Sequence, residues 1–442
     1  MRNRAPALAL ILALAACGGS SSSPTPTPTP SPAAGGQCST QGQVTFVRDT
    51  LQEWYLWYGQ LPDPDPAGFS SPEAYLQAVR YMPRDSSFSY IGDQAASDAF
   101  YSDSQFIGIG LSFRQTTATE LRVSQVFPGG PAAQAGLARG DFVVTVGGRP
   151  VAELLQSGQL GDALGPAEIG VSVALGWRTL AGQEGQATLT KRLVTIPTVS
   201  ATRVFDNGGS RVGYIFFRNF VTPSTAALNR AFDRLLAEGA TELVLDLRYN
   251  GGGLVDVARH LGSLIGGRGT AGEIFVRFRH NDKKSAENST VLFESKPNAL
   301  EVSRLVVIAT GSSASASELV INSLRPFMNV TVVGARTFGK PVGQYGFDFC
   351  EKVLFPVAFA TENARAEADY FNGIPANCAA ADDLNHEIAD PGEASLATAL
   401  DFLRTGACSG RAAAEAEVQA RRRGTVPRLD EGDPWRQLLG AY

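Results

Sequence analysis

Two short polar segments, each directly after an apolar run, contain residue types that could perform acyl transfer. The first, GSSASASELV at 311–320, follows LVVIAT, and the second, RTFGKPVGQ at 336–344, follows VTVVGA. Ser315 and Glu318 have the spacing of a capping box, in which each side chain satisfies an exposed N–H at a helix start. The sharper interpretation makes Ser315 a nucleophile at the positive end of a helix.

A serine hydroxyl is a weak nucleophile until a neighbouring base takes its proton. Lys340, in the second segment, can be that base only when neutral, and the ordinary lysine pKa is about 10.4. Burial and positive surroundings would have to lower that pKa by roughly three units. The competing interpretation leaves Lys340 as a solvated loop cation, but the chain has only six lysines beside thirty-two arginines.

Acyl transfer also needs preorganised N–H groups that stabilise an oxyanion. Ala316, directly after Ser315, and the turn 250–253 after the apolar run ELVLDLR offer such groups. A phosphate cradle is the competing use of a strand, glycine turn and helix, but the GK[ST] ending and the GxGxxG spacing are absent. We expect Asp246 and Arg248 to place this turn, and Ser313 and Ser317 to form local hydrogen bonds.

These segments lie in a region where buried strands alternate with helices. From about residue 196, apolar runs at 212–217, 242–248 and 305–310 are separated by helical patterns, which predicts an α/β core. Upstream, apolar residues recur at helical spacing over 44–58, and SSPEAYLQAVRYM predicts a second helix near 70–82. We expect a small helical cap over 41–100.

Between the cap and the core, FIGIGLSF at 106–113 precedes LRVSQVFPGGPAAQAGLARGDFVVTVGGRPV at 121–151. The glycine segment Gly108, Ile109, Gly110 and Leu111, with the residues that follow, resembles a PDZ domain. The resemblance implies a β-rich domain whose groove adds an extended peptide to a sheet edge and holds its terminal carboxylate on backbone N–H groups.

The run SASASEL, the segment TFGK with a glutamine four residues after the lysine, DLRYNGGG and the PDZ-like segment together resemble the carboxyl-terminal processing, or tail-specific, serine proteases over most of 104–400. The resemblance implies a crotonase-like α/β core without metal or nucleotide cofactor. It makes Ser315 the nucleophile, Lys340 the base and Gln344 the residue that orients the base. It implies an oxyanion hole formed by Ala316 with Gly251 or Gly252. The chain departs from the family at Pro341, where glycine is usual.

The N-terminus indicates export. Two arginines precede a short apolar stretch that ends in LAAC at 14–17, which resembles a bacterial lipobox with Cys17 as the lipidated residue. An ordinary signal peptide with a chance cysteine is the alternative. The Ser/Pro/Thr-rich residues that follow predict an extended spacer. We expect a periplasmic, lipid-anchored protein, and Gly18 in place of aspartate favours the outer membrane.

The remaining cysteines are Cys38, Cys350, Cys378 and Cys408. In an oxidising compartment four cysteines form up to two disulfides, with three connectivities. We expect Cys350 to pair with Cys378. Because no C-x-x-C pair and only three histidines occur, a metal site has little support.

The domain organisation that follows is a signal peptide at 1–17, a linker at 18–40, a helical region at 41–100, a PDZ-like domain at 101–195, a protease core at 196–410 and a tail at 411–442. A net charge of −5 argues against nucleic acid as a partner. We expect protein or peptide substrates with free C-termini and a membrane contact through the lipid.

Two other functions are consistent with part of the sequence. A Ser-His-Asp hydrolase would need His260, His280 or His386 to reach Ser315, but no G-x-S-x-G elbow surrounds that serine. A non-enzymatic lipoprotein could use its PDZ-like groove to display other envelope proteins. The set of Ser315, Lys340 and Gln344 favours an endopeptidase over both.

Overall fold

The computed structural model describes residues 36–302 and 304–408. The expected signal peptide with Cys17, nearly all of the spacer and the tail at 411–442 lie outside the described residues. In the part that is described, no helix is both long and apolar enough to cross a bilayer.

The N-terminal region is mainly helical, as the periodicity predicts, but its first helix ends before the end of the predicted span 44–58 and the region also contains a strand. The first helix ends at Trp54, because Tyr55 is extended and its buried hydroxyl donates to Asp85. The elements of this region are α1 (Thr40–Trp54), α2 (Pro72–Val79), β1 (Tyr90–Asp93) and α3 (Gln94–Asp103).

The next region is β-rich. Its larger sheet has the order β3-β4-β5-β7-β8, with β6 on β5, while β2 pairs with β9, so β3 is an edge strand. The elements are β2 (Gln105–Gly108), β3 (Leu111–Thr117), β4 (Glu120–Val126), α4 (Pro131–Gln134), β5 (Phe142–Val146), β6 (Arg149–Pro150), α5 (Val151–Ser157), α6 (Leu160–Leu164), β7 (Ser172–Arg178), β8 (Glu184–Thr190) and β9 (Arg192–Thr195).

A six-stranded sheet of order β10-β11-β12-β15-β16-β21 forms the centre of the α/β core. Within this sheet, the strands β11, β12, β15, β16 and β21 run parallel to one another, and β10 is antiparallel at one edge. Helices α7, α8 and α9 pack on one face of this sheet and α10 on the other. These elements are β10 (Val199–Asn207), β11 (Ser210–Phe217), α7 (Ser224–Ala237), β12 (Glu242–Asp246), α8 (Val255–Gly266), β15 (Arg304–Ala309), α9 (Ala316–Leu324), β16 (Asn329–Gly334), β21 (Cys378–Ala379) and α10 (Ala394–Thr405).

Two smaller sheets join the core to the N-terminal region. One has the order β14-β13-β20-β17, and in the other β1 pairs with β19 of the order β1-β19-β18. Side chains of α1 and α2 share a hydrophobic cluster with residues 342–357. The strands are β13 (Ile274–His280), β14 (Ser289–Leu292), β17 (Val342–Gln344), β18 (Phe347–Phe349), β19 (Lys352–Phe355) and β20 (Val357–Glu362).

The expected disulfide between Cys350 and Cys378 is wrong. Cys350 bonds to Cys38 and Cys378 bonds to Cys408, with Cα–Cα distances of 5.4 and 5.3 Å. Cys350 follows β18 in the sheet that contacts the N-terminal region, whereas Cys378 lies on the edge strand of the six-stranded sheet. Their closeness in sequence therefore says nothing about their distance in the fold, which decides disulfide pairing.

Candidate active site

Ser315 stands at the junction between β15 and α9. It is the N-cap residue of α9, with φ 55° and ψ −114°, a combination that L-residues rarely adopt. Its neighbours Ala314 and Ala316 are buried, while Ser315 itself is partly exposed. The strand-to-helix turn therefore presents this serine to solvent at the N-terminal end of a helix.

The flanking serines anchor the turn. The sequence predicted local hydrogen bonds for them, and Ser313 does accept one from the Thr310 N–H at 3.0 Å, but both hydroxyls donate to a segment that lies more than sixty residues earlier in the chain. The Ser313 hydroxyl donates to the Leu247 carbonyl at 2.7 Å, and the Ser317 hydroxyl donates to the Asn250 carbonyl at 2.8 Å. Both acceptors belong to the segment that follows β12. These bonds hold the Ser315 turn against the glycine turn.

Glu318, in the first turn of α9, joins Ser315 to the lysine segment. Its Oε2 accepts hydrogen bonds from the backbone N–H groups of Ser315 and Lys340, at 3.0 and 2.8 Å. Its Oε1 accepts from the Gly339 N–H and the Thr337 hydroxyl, at 2.7 and 2.5 Å. Because one oxygen holds both N–H groups, the nitrogens of Ser315 and Lys340 lie within about 6 Å, the sum of the two bond lengths.

Glu318 is fully buried, and burial raises its pKa while the hydrogen bonds that it accepts oppose the rise. The capping box expected from the sequence is present, and in it the Glu318 carboxylate accepts from the Ser315 backbone N–H. The bonds to residues 337–340 cannot be predicted from the sequence, because no local pattern relates Glu318 to a loop nineteen or more positions later.

The side chains of Lys340 and Gln344 are in direct contact. Nζ of Lys340 donates to Oε1 of Gln344 at 2.5 Å. The amide nitrogen of Gln344 donates to the carbonyl oxygens of Phe88 and Phe355, at 2.7 and 2.6 Å. Lys340 is partly buried, and its Nζ lies 5.8 Å from the centre of the Phe88 ring.

Pro341 is accommodated within this loop. It is buried, and its carbonyl oxygen accepts from the backbone N–H and the hydroxyl of Thr361, at 3.1 and 3.0 Å. Gly343 lies opposite Phe359, where a Cβ would stand 2.1 Å from the ring. The contact between Lys340 and Gln344 is therefore compatible with proline at 341.

The glycine turn lies against Ser315. A Cβ on Gly252, whose φ is +106°, would stand 2.8 Å from Cβ of Ser315 and 2.9 Å from the backbone nitrogen of Ala316. The Gly252 N–H donates to Oδ1 of Asn250 at 2.9 Å. Because Gly252 uses its N–H in this way, Gly251 is better suited than Gly252 to offer an N–H group together with Ala316.

A buried ionic network supports the glycine turn, as expected for Asp246 and Arg248. The Arg248 guanidinium pairs with Asp246 at 2.7 Å and with Glu393 at 2.8 Å. The adjoining Tyr249 hydroxyl donates to Asp382 at 2.8 Å. No local pattern in the sequence indicates Glu393 and Asp382, because both lie more than 130 residues after Arg248.

The network continues into the β-rich region. Arg139, which follows α4, donates to the Tyr249 hydroxyl at 2.7 Å and pairs with Asp382 at 3.1 Å. Arg114 of β3 also pairs with Asp382. Burial alone would raise the pKa of Asp382, but the charges of Arg114, Arg139 and Arg248 outweigh it and hold that pKa well below its usual range.

The expected peptide-binding segment, Gly108 to Leu111, joins β2 to the edge strand β3. Its carbonyl oxygens at Ile109 and Gly110 accept from the N–H groups of Ala132 and Phe127, both at 2.9 Å. Gly110 has φ +83°, and a Cβ there would stand 2.9 Å from Cα of Gly130. The segment is therefore a fixed loop at the start of an open sheet edge.

The three histidines have other partners. His260 contacts Asn229 at 2.8 Å, His280 contacts Tyr345 at 2.9 Å, and His386 contacts Asp383 at 2.6 Å. Burial lowers the pKa of His260 to about 4. These contacts do not support a Ser-His-Asp arrangement at Ser315. Within residues 36–302 and 304–408, no group of three or more His, Cys, Asp or Glu could hold a metal ion.

Three family models match the chain. The model of peptidase family S41 matches residues 211–372, that of the peptidase S41 N-terminal domain matches 42–90, and that of the PDZ domain matches 122–168. The first two cover the parts that supply Ser315, Lys340 and Gln344 and the helical region packed against them.

Similar proteins include a chloroplastic C-terminal processing peptidase of Tetradesmus obliquus, 29% identical over 60% of this chain and 57% of its own length. A carboxyl-terminal-processing protease of Synechocystis is 27% identical over 68% of this chain and 69% of its own length. This chain thus spans 57% of the length of the first relative and 69% of the length of the second. The crystal structure of a Bacteroides fragilis protein described as an S41 protease has the same fold, with a TM-score of 0.68 and 24% identity over 86% of this chain and 99% of that one.

Proposed function

We propose that this chain, which matches the models of peptidase family S41, of the S41 N-terminal domain and of the PDZ domain, is a serine endopeptidase of the carboxyl-terminal processing type. The observation that carries the proposal is the bridge formed by Glu318, which binds the backbones of Ser315 and Lys340 with one carboxylate oxygen. The contact between Lys340 and Gln344 supports it.

In the proposed mechanism, the Ser315 hydroxyl attacks the scissile carbonyl and gives its proton to the neutral amine of Lys340. Gln344 orients that amine. The N–H groups of Ala316 and Gly251 stabilise the oxyanion. The ammonium of Lys340 then protonates the leaving amine, and water hydrolyses the acyl enzyme with Lys340 again as the base.

The PDZ domain gives the proposed substrate class, proteins or peptides with a free C-terminus. An extended peptide would add to the open edge of β3, and its carboxylate would accept from N–H groups of residues 109–111. The carbonyl oxygens of Ile109 and Gly110 support this. Because they already accept hydrogen bonds from within the domain, the N–H groups of the loop are the groups suited to bind a carboxylate.

We also propose that the protein is exported and held at the outer membrane by lipid on Cys17. The two disulfides support an oxidising compartment such as the periplasm. Replacing Cys17 with alanine should release the protein from the membrane fraction of the cell. Fractionation that does not change would contradict the lipid anchor.

Cleavage of an unfolded protein such as casein tests the dyad. Ser315→Ala should abolish cleavage. Lys340→Arg should be nearly as inactive as Lys340→Ala, because arginine keeps the cation but has no accessible neutral form, its pKa lying above about 12. Circular dichroism should show that all three variants are folded.

Substantial turnover by folded Lys340→Arg would contradict Lys340 as the base. Peptide binding with no cleavage by the wild-type protein would instead favour the envelope scaffold.

Comparing the cleavage of free-acid and C-terminally amidated peptides tests the groove of the PDZ domain. Equal cleavage rates would contradict recognition of the terminal carboxylate.

A further inference from the structure

Residues 85–89, between α2 and β1, form a loop fixed around one buried carboxylate. Asp85 is fully buried, and its Oδ1 accepts from the backbone N–H groups of Phe88 and Ser89, at 2.8 and 2.9 Å. Its Oδ2 accepts from the hydroxyls of Tyr55 and Ser89, at 2.9 and 2.5 Å. Four donors from three residues therefore determine the course of this loop.

A second set of bonds attaches the loop to the core. The Ser89 hydroxyl accepts from the Val357 N–H at 2.9 Å. The Phe88 carbonyl oxygen accepts from the side-chain amide of Gln344 at 2.7 Å. The loop thus presents one backbone carbonyl directly to a residue of the candidate active site.

The Gln344 amide group has two N–H donors and one oxygen. Phe88 and Phe355 carbonyls take the two donors, so the oxygen must point the opposite way, towards Nζ of Lys340. Without the Phe88 carbonyl, the amide would have one protein acceptor fewer and could rotate about its terminal torsion, which is intrinsically broad.

We propose that residues 85–89 are a positioning loop of the catalytic site, which holds the Gln344 amide so that its oxygen faces Lys340. The effect of this loop on catalysis rests on the proposed function, whereas its effect on the orientation of the Gln344 amide does not. It gives the N-terminal region a second role beside packing, since that region supplies the Phe88 carbonyl and the ring beside Lys340.

The orientation of the amide can be measured without activity. In Ser315→Ala protein with ¹⁵N-labelled glutamine, the Gln344 side-chain signal is assigned by its loss in Gln344→Ala. We expect this amide to be protected from hydrogen exchange. Asp85→Ala should speed its exchange about tenfold or more, because the N–H groups of Phe88 and Ser89 lose their acceptor and the loop no longer holds the Phe88 carbonyl against the amide. Asp85→Asn, which keeps an oxygen acceptor, should restore most of the protection.

Asp93→Ala is the matched control. Asp93 lies in the same region and also accepts from a backbone N–H, that of Ala96 at 2.8 Å, but its contacts lead into α3. It should leave the Gln344 signal unchanged. If Asp85→Ala does not fold, Ser89→Ala removes one link between the loop and β20 and should give a smaller change in the same direction.

A double-mutant cycle tests the catalytic consequence. Asp85→Ala should lower kcat about tenfold or more with KM within about twofold, because a small misplacement near the base affects the chemical step. In the Gln344→Ala background the same change should lower kcat no further, since the loop acts through Gln344.

The outcomes separate the two proposals. If wild-type protein shows no Ser315-dependent cleavage, the proposed function fails, and the amide signal still decides whether the loop orients Gln344. If cleavage occurs but the two substitutions act independently, or if the amide stays protected in folded Asp85→Ala, the positioning loop is overturned.

Discussion

Ser315 combines three properties at the scale of one residue. It caps α9, it has a backbone conformation with φ 55° that L-residues rarely adopt, and it is partly exposed among buried neighbours. Such strain persists only where surrounding contacts impose it. The bonds of Ser313 and Ser317 to the glycine-turn segment supply those contacts.

Gly252 should not tolerate a side chain, because the glycine turn packs directly against Ser315. Gly252→Ala would place a Cβ 2.8 Å from Cβ of Ser315, so we expect cleavage to fall below about 1% of wild type, as displaced catalytic groups lose orders of magnitude in rate. Gly209→Ala is the control, because Gly209 also has positive φ, +94°, but open space around it. Casein cleavage would be the measurement.

Both alanine variants should lose about 1 kcal/mol of unfolding free energy from the positive φ. Gly252→Ala should lose more, because its Cβ also meets backbone atoms. Full activity of Gly252→Ala would mean that the glycine turn does not border the nucleophile.

At the scale of elements, the first turn of α9 organises the loop before β17. Glu318 receives two N–H groups from that loop, one from its own helix start and one hydroxyl. One carboxylate can accept all four because both of its oxygens are acceptors only. Glu318 therefore fixes the start of α9 and the loop 337–340 relative to each other.

Glu318→Gln tests this coupling with almost no change of shape. Even in its better orientation the glutamine NH₂ would face the Gly339 N–H, with which it cannot form a hydrogen bond, so we expect a loss of about 3 kcal/mol of unfolding free energy and of nearly all cleavage. Urea denaturation and casein cleavage provide the measurements.

Asp256→Asn serves as the comparison, since Asp256 lies in the first turn of α8 with an exposed side chain. Its effect should stay within about 0.5 kcal/mol. A Glu318→Gln protein as stable and active as wild type would refute the bridge.

At the scale of the whole molecule, Asp382 joins the β-rich region to the α/β core. It pairs with Arg114 and Arg139 of the β-rich region and with Arg248 of the core, and it accepts a hydrogen bond from the Tyr249 hydroxyl. Tyr249 directly precedes the glycine turn, so this junction and the candidate oxyanion site share one network. Breaking such a buried pair leaves an uncompensated charge.

Asp382→Asn should therefore lower the unfolding free energy by about 3 kcal/mol at pH 7. Because the folded pKa of Asp382 is depressed, its stabilisation is present above the unfolded value near 3.9 and is lost as pH falls towards the folded value. The difference between wild type and variant should thus shrink below about pH 4.

Urea denaturation across pH measures this difference. Asp49→Asn, which removes an exposed ion pair with Arg48, should show a difference of less than about 1 kcal/mol. A difference for Asp382→Asn that grows as the pH falls would contradict the assignment of its charge.

The sequence by itself determined the α/β alternation, the PDZ-like segment and the residue types of the site. Apolar periodicity fixes which segments are strands or helices, and the motifs around Ser315, Lys340 and the glycine turn are local in the chain. These features depend on near neighbours, so one sequence is enough to predict them. The serine, lysine and glutamine roles stay proposals to be tested by the variants above.

Only the tertiary structure decided which distant segments meet. The pairing of Cys38 with Cys350, the bond from the Phe88 carbonyl to Gln344 and the convergence of three arginines on Asp382 join residues far apart in the chain. Each depends on how sheets and helices pack, and no spacing along the chain records that packing. The physical reason is that side-chain contacts depend on distance in space, which sequence separation does not determine.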